Sequence, residues 1–407
     1  MQLRKTSWHA FYRREGANSM NLKIMDILKK YTMVFALIAV VIFFYANTGG
    51  KILLPQNINN LVSQNAYVFV LAAGMLLCIL TGGNIDLAVG SVVCFVGGIG
   101  AVMMDKSINV WVSVVVMLIG GILVGAWQGF WIAYIKVPPF IATLAGMYAF
   151  RGLANVVLQG YAVGVRNETF LNVFGGGADC YIPDFFHGSS LNITCMAAGV
   201  IVAVAYVAIT LKNRVSAKTK GYDVAPFYQE LLRIIVICAA VIWIFYKLAN
   251  YKGIPVALIW IAIVLLAYEY ITTKTTMGRY LYAVGGNEKA TRLSGIDSRK
   301  VYFFAYVNMG LMAGLAGILT IARAAGAQPT FGQGYEMDAI AACFIGGASA
   351  YGGEGNVFGV VVGAVLMGVI NMGMSIMGIE ANYQKVVKGI VVLVAIIFDV
   401  LSNKKKK

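Results

Sequence analysis

The chain has 407 residues, 60% of them apolar and only 12% charged, with two histidines and a formal net charge of +15. A bilayer core about 30 Å thick takes roughly 20 apolar residues per helical span, so ten to twelve spans would consume nearly the whole apolar supply. This excludes a water-soluble enzyme, a disordered tail protein and a coiled coil, and points to an all-α polytopic membrane protein of ten to twelve transmembrane helices.

Residues 1–30 are a basic tail carrying Arg4, Lys5, Arg13, Arg14, Lys23, Lys29 and Lys30. The apolar run 31–46 follows without a small-residue cleavage site, so it reads as a retained anchor and first helix rather than a signal peptide. Further spans are predicted over 61–80, 87–104, 110–135, 140–158, 193–211, 231–249, 254–271 and 301–322. A Gly-interrupted region, 338–378, counts as two helices or a re-entrant pair, and 386–401 is the last span. A single transmembrane domain thus covers 31–401, and 402–407 is a second basic tail.

Four segments hold 22 of the 32 basic residues: the first 30, 212–233, 272–300 and the final four lysines. The positive-inside rule places all four in the cytoplasm, together with both termini, and an even span count agrees. The loop 159–192, with Arg166 against Glu168, Asp179 and Asp184, reads as external. The basic balance therefore sets orientation and gives no reason to expect nucleic acid.

No G-x-x-x-x-G-K-[ST] or G-x-S-x-G occurs, so the chain has neither a P-loop nor a nucleophile elbow. His9 and His187 are far apart, and the cysteines at 78, 94, 180, 195, 238 and 343 have no metal-ligand spacing. Five of the six lie in apolar runs as small hydrophobes. No metal site and no catalytic residue is expected.

Glycines recur along 87–104, 110–135, 301–322 and 357–378, where they let helix backbones approach in lipid. Residues 80–91 (LTGGNIDLAVGS) and 345–356 (IGGASAYGGEGN) echo one another. Each follows an apolar helix and opens a Gly-rich one, with breaks at Gly82 and Gly83 and at Gly346, Gly347, Gly352 and Gly353. Duplicated broken helices suggest an internal two-fold repeat around a midplane pathway.

Intramembrane polar residues are costly and hence informative. Asp86 caps the next helix or latches a gate. Arg323, Glu336 and Asp338 bracket Pro329, Gly332 and Gly334 in an external turn with local ion pairs, or Arg323 and Asp338 face the pathway. Arg151, Glu269 and Asp399 lie near helix ends and are expected to snorkel. Asn60, Gln64, Asn65, Asn308 and Asn371 suit either interhelical hydrogen bonds or contacts to a sugar.

Residues 287–294 favour a short helix that Gly295 closes, with Glu288, Lys289 and Arg292 on its exposed face. Such a helix in a cytoplasmic loop suits docking to a soluble partner, or is an ordinary connection.

At these residues the chain resembles the permease subunits of bacterial monosaccharide ABC importers, of the ribose, xylose, galactose and multiple-sugar type. The resemblance is carried by 80–91, by PFIATL at 139–144, by 278–296 (GRYLYAVGGNEKATRLSGI), by DAIAA at 338–342 and by the glycine pairs of 345–355. Asn84 and Ala88 depart from the commoner Gly-Gly-Ile-Asp-Leu-Ser. The added hairpin across 212–253 is more like the xylose and multiple-monosaccharide branch.

The resemblance implies residence in the bacterial inner membrane, a second permease copy, an extracytoplasmic sugar-binding protein and a separate ATPase with tandem nucleotide-binding domains. ATP and Mg would sit on that partner, leaving no cofactor here. It also makes 287–296 the coupling helix, through Asn287, Glu288, Ala290, Arg292 and Gly295. The rivals are an ion-coupled secondary transporter, disfavoured by the absence of a carboxylate relay, and an ABC permease for branched-chain amino acids or nucleosides.

Overall fold

A computed structural model describes residues 33–176, 180–188, 191–221 and 226–404. The predicted tail 1–30, Asp179 in the loop 159–192, part of the loop 212–230 and the last three lysines lie outside them.

Every predicted span is a helix. The first is α1 (Met33–Asn47). The second breaks at Asn65 into α2 (Pro55–Gln64) and α3 (Ala66–Leu80), bent by 44°. After an irregular stretch come α4 (Val89–Asp105), α5 (Val110–Ala133) and α6 (Pro139–Leu158), then the short α7 (Glu168–Phe174). Next are α8 (Ile193–Thr219), α9 (Phe227–Ala249), α10 (Val256–Lys274), α11 (Thr276–Gly286), α12 (Glu288–Leu293) and α13 (Ser298–Ala324). The Gly-interrupted region forms α14 (Tyr335–Ile345) and α15 (Val357–Ile376), followed by α16 (Ala381–Lys404), which absorbs 402–404.

Among the described residues seven helices are long and apolar enough to cross a bilayer, or eight if α2 and α3 form one bent span. α1 and α4 are apolar but shorter. At 11 residues, α14 rises only about 17 Å, too little to cross alone. The fold is an all-α polytopic membrane protein, with one two-residue antiparallel pairing of Val163 with Ala327 and Gly164 with Gly326.

The helix α3 is apolar on all sides, and every residue in it except Tyr67 is buried. That is the pattern of a helix enclosed by others, and α10, α11, α13, α14 and α15 surround it. Apart from Tyr67 at its start, whose hydroxyl Asp338 accepts, its length is apolar, so it can sit at the centre.

Glycine sets the most extensive helix contact, between α5 and α13. A β-carbon on Gly310 would overlap the Gly121 carbonyl and lie 2.7 Å from the Gly125 Cα, and one on Gly121 would lie 3.1 Å from the Gly314 Cα. Only hydrogen at these positions allows the backbones to touch, and packing is what holds helices together in lipid.

The α8–α9 hairpin stands at the periphery. It presents Ile201, Val204, Leu232 and Ile235 outward, and an Arg214–Glu230 ion pair links its two helices. It joins the bundle through a small cluster of Cys195, Leu248, Ala249 and Ile254 against Ile58 of α2.

Asp184 anchors the chain entering α8. Its carboxylate accepts from the backbone N–H groups of Phe186 (3.2 Å), Gly188 (2.9 Å), Ile193 (3.1 Å) and Thr194 (3.1 Å) and from the Thr194 hydroxyl (2.8 Å). Desolvation works against ionisation, yet these donors hold the carboxyl well below the usual carboxylate range. A carboxyl more acidic folded than unfolded contributes fully above its unfolded pKa of about 4 and less as pH falls from there. Amide exchange at Gly188, Ile193 and Thr194 should therefore accelerate as pH drops below about 4, after correction for intrinsic rates. In Asp184→Asn this acceleration should vanish, with protection already reduced at neutral pH. Equal protection in the two proteins would show that Asp184 does not hold the segment.

Candidate functional site

The two glycine-rich breaks predicted from the internal echo meet in space. Gly353 N–H donates to the Leu80 carbonyl at 3.1 Å. Gly83 and Gly352 both have positive φ, at 76° and 83°. A β-carbon on Gly83 would overlap the Ala350 carbonyl oxygen, and one on Gly352 would overlap the Gly82 backbone. Left-handed backbone without a β-carbon is the province of glycine, so residue type and contact have one cause. Gly346 instead packs on Gly359 of α15, and Gly347 faces the Met33 side chain.

The end of α11 joins this junction. A β-carbon on Gly285 would overlap the Leu80 carbonyl, and one on Gly353 would stand 2.8 Å from the Gly286 nitrogen. Tyr282 donates its hydroxyl to the Gly355 carbonyl at 2.8 Å. Asp399, expected to snorkel, is instead engaged in the protein, accepting from the Ala350 N–H at 2.9 Å.

Immediately after the junction comes the predicted short helix, α12. Asn287 caps it, its side chain accepting from the Ala290 N–H at 3.0 Å, and Gly295 ends it with φ 86°. Glu288 stays partly exposed, as expected, but is also tied to its neighbours. Its carboxylate pairs with Arg292 at 2.9 Å and accepts hydroxyls from Ser298 at 2.9 Å and Tyr302 at 3.2 Å, fastening α12 to α13. The helix offers Lys289 and Leu293 outward, and Leu293 is 90% exposed. Beside it, Asn84 from the first break, Glu288, Tyr302, Arg292 and Lys136 line a cleft of about 380 Å³.

A second polar cluster lies inside the bundle. Asp338, fully buried in the first turn of α14, accepts at Oδ2 from Tyr67 (2.6 Å), Lys388 Nζ (2.9 Å) and Asn371 (3.5 Å). Asn371 also donates to Asn65 Oδ1 at 3.3 Å. Asp338 is therefore no part of an external turn with local ion pairs, because its counter-charge is a lysine 50 residues away on α16. Asn65, Asp338 and Asn371, three of the predicted pathway residues, thus come together. Among the described residues, Asp338 Oδ1 and Asn371 Oδ1 have no hydrogen-bond partner. Tyr67 and Lys388 escaped the sequence reading, although a lysine within an apolar run was signal enough.

The other predicted pathway residues lie apart from that network. Asp86 accepts from the Ala88 N–H at 2.8 Å in a tight turn just before α4; it does not cap that helix as expected, since Ala88 is the N-cap and no side chain caps it. Asn308 donates to the Phe304 carbonyl at 2.9 Å and accepts from Tyr268 at 3.4 Å, joining α10 to α13. Arg323 is exposed at the end of α13 and lines a separate cleft with Gln64, Tyr67 and Tyr335. Arg151 does more than snorkel. It donates to the Pro329 and Phe331 carbonyls at 3.2 and 2.6 Å, tying α6 to the connection before α14.

Among the described residues no three His, Cys, Asp or Glu side chains gather as metal ligands. The arrangement is that of a conformational machine: two broken helices in contact, a short capped helix beside them, and a neutralised polar cluster deeper in the bundle.

Comparison with known proteins agrees with this architecture. The family described as "Branched-chain amino acid transport system / permease component" matches residues 57–396. The chain is 34% identical over 400 residues to the xylose transport system permease protein XylH of Escherichia coli K12, covering 96% of this chain and 95% of that one. It is 35% identical over 385 residues to XylH of Haemophilus influenzae, covering 93% and 98%. It is 33% identical over 351 residues to the ribose import permease protein RbsC of Escherichia coli K12, covering 86% and 87%. No solved structure matches the chain.

Proposed function

The chain belongs to this family of transport-system permease components, and on that premise we propose that it is the membrane permease of an ATP-driven monosaccharide importer. The family description names branched-chain amino acids, but the relatives that match most of the chain carry xylose and ribose in their names, which favours a sugar. The membrane is the bacterial inner membrane. The α12 end faces the cytoplasm, since Lys136, Lys274, Lys289, Arg292, Arg299 and Lys300 gather on the segments at or next to it and basic loops stay inside.

A separate ATPase with tandem nucleotide-binding domains, holding ATP and Mg, docks on α12 through Asn287, Glu288, Ala290, Arg292 and Gly295. A binding protein delivers sugar to the opposite end, and a second permease copy completes the pathway. The ATPase changes the docked position of α12, and the adjoining glycine junction passes the change to α3 and α14, altering which end of the pathway is open. Neither a nucleotide nor a metal is needed on this chain for that work.

The observation that carries this reading is Leu293. A fully presented leucine on a capped helix, beside the junction of both broken helices, is wasted apolar surface until a soluble partner covers it. Burying it is worth about 1.5–3 kcal/mol, so Leu293→Asp should weaken capture of the ATPase roughly ten- to hundredfold while leaving insertion and folding intact. Glu288→Arg with Gly295→Pro, which dismantles α12 itself, should abolish capture. Wild-type permease that captures no ATPase, in proteoliposomes that move sugar on an ion gradient alone, would establish the secondary transporter instead. Capture unchanged by either variant would move the contact to 212–230.

A further inference from the structure

At the end of the bundle remote from α12, the bend between α2 and α3 opens a cleft of about 270 Å³ against the last turn of α13 and the connection before α14. Its wall is a pair of stacked tyrosines, Tyr67 and Tyr335, with ring centroids 3.5 Å apart and planes 11° from parallel. Ser63, Gln64, Thr320 and Arg323 add polar groups around them. The rings are held in place: the Tyr67 hydroxyl donates to Asp338 at 2.6 Å, and Lys388 holds Asp338 from the other side.

We propose that this cleft is an entry subsite of the permease for a single polyhydroxylated ring, which packs a C–H face on the tyrosine pair and hydrogen-bonds to Ser63, Gln64 and Arg323. The proposal rests on the sugar-permease reading above and adds the place where sugar first meets this chain.

The lining fits that chemistry. A sugar presents an apolar face and a rim of hydroxyls that both donate and accept. Amide and hydroxyl side chains answer in both senses, and the guanidinium supplies fixed donors. A rigid aromatic wall with a few convergent polar groups is the usual make-up of a small-molecule site. Among the described residues no carboxylate lines the cleft, so the ammonium of a free amino acid finds no counter-charge there. Asp338 lies behind Tyr67 and is already paired with Lys388.

The test uses Ser63→Cys permease in the complete importer, reconstituted in nanodiscs and labelled with a small thiol reagent, with the wild type giving the background. D-xylose, D-ribose and L-leucine are the probes. A sugar that the importer takes up with ATP should slow labelling about tenfold when present at ten times its dissociation constant, and leucine should not. Adding Tyr335→Leu should remove the protection. If the importer takes up the sugar but labelling is unchanged at every concentration, the subsite is wrong and the sugar reading stands. If leucine is taken up and protects, or if neither sugar is taken up, the sugar reading falls and the subsite with it.

Discussion

Replacing Gly83 with alanine is expected to abolish ATP-driven uptake and to lower the stability of the purified permease sharply. Two costs add at this position. With φ at 76°, a residue bearing a β-carbon is held in sparsely populated backbone space, at about 1–3 kcal/mol. The same β-carbon would overlap the Ala350 carbonyl, so the two breaks must separate before it fits. Separation also strips the Leu80 carbonyl of its Gly353 donor, leaving a polar group in an apolar surrounding. Gly389→Ala is the matching control. That glycine lies inside α16 at ordinary φ with open space where the β-carbon would go, so alanine should raise stability by up to about 1 kcal/mol through helix propensity alone. Thermal unfolding and uptake in proteoliposomes check both. Normal unfolding and uptake in Gly83→Ala would mean that the breaks do not meet in the working transporter.

The glycines of that junction were legible as helix breaks because two glycines in sequence after an apolar run leave little else to predict. Their meeting was not legible, since hydropathy reports which residues avoid water and says nothing about which helix lies beside which. The spans were readable for the same reason, and so was α12, because its ends are written in local chemistry by Asn287 and Gly295. The bend at Asn65 was missed because no proline or glycine marks it. The partners of Glu288 also escaped, since Ser298 opens the next helix and Tyr302 lies one turn into it, and only the tight connection at Gly295 brings them back. Asp338 gives the clearest case. Next to Pro329 and two glycines it reads as part of a turn, and its true partners come from α3, α15 and α16.

Those partners lead to the second large effect, which turns on which half of the Asp338–Lys388 pair is removed. Lys388→Met leaves the Asp338 carboxylate fully buried, with only a phenol and an amide to hydrogen-bond it, and stranding one partner of a buried pair costs about 3–5 kcal/mol. Asp338→Asn should cost less. The lysine side chain keeps 18% of its surface exposed, and its flexible stem can carry the ammonium toward water. In the double variant neither charge remains, so most of the stability lost in Lys388→Met should return, a non-additivity that a double-mutant cycle reads directly. Uptake should not return with it. Asparagine is a weaker acceptor for the Tyr67 hydroxyl than a carboxylate, and the tyrosine wall loosens whether or not the charges balance. A double variant that is stable but transports poorly would show that the pair is kept for holding Tyr67 and α14 in register. A double variant that recovers both would reduce the pair to charge neutralisation, and one that recovers neither would mean that Lys388 has work besides balancing Asp338.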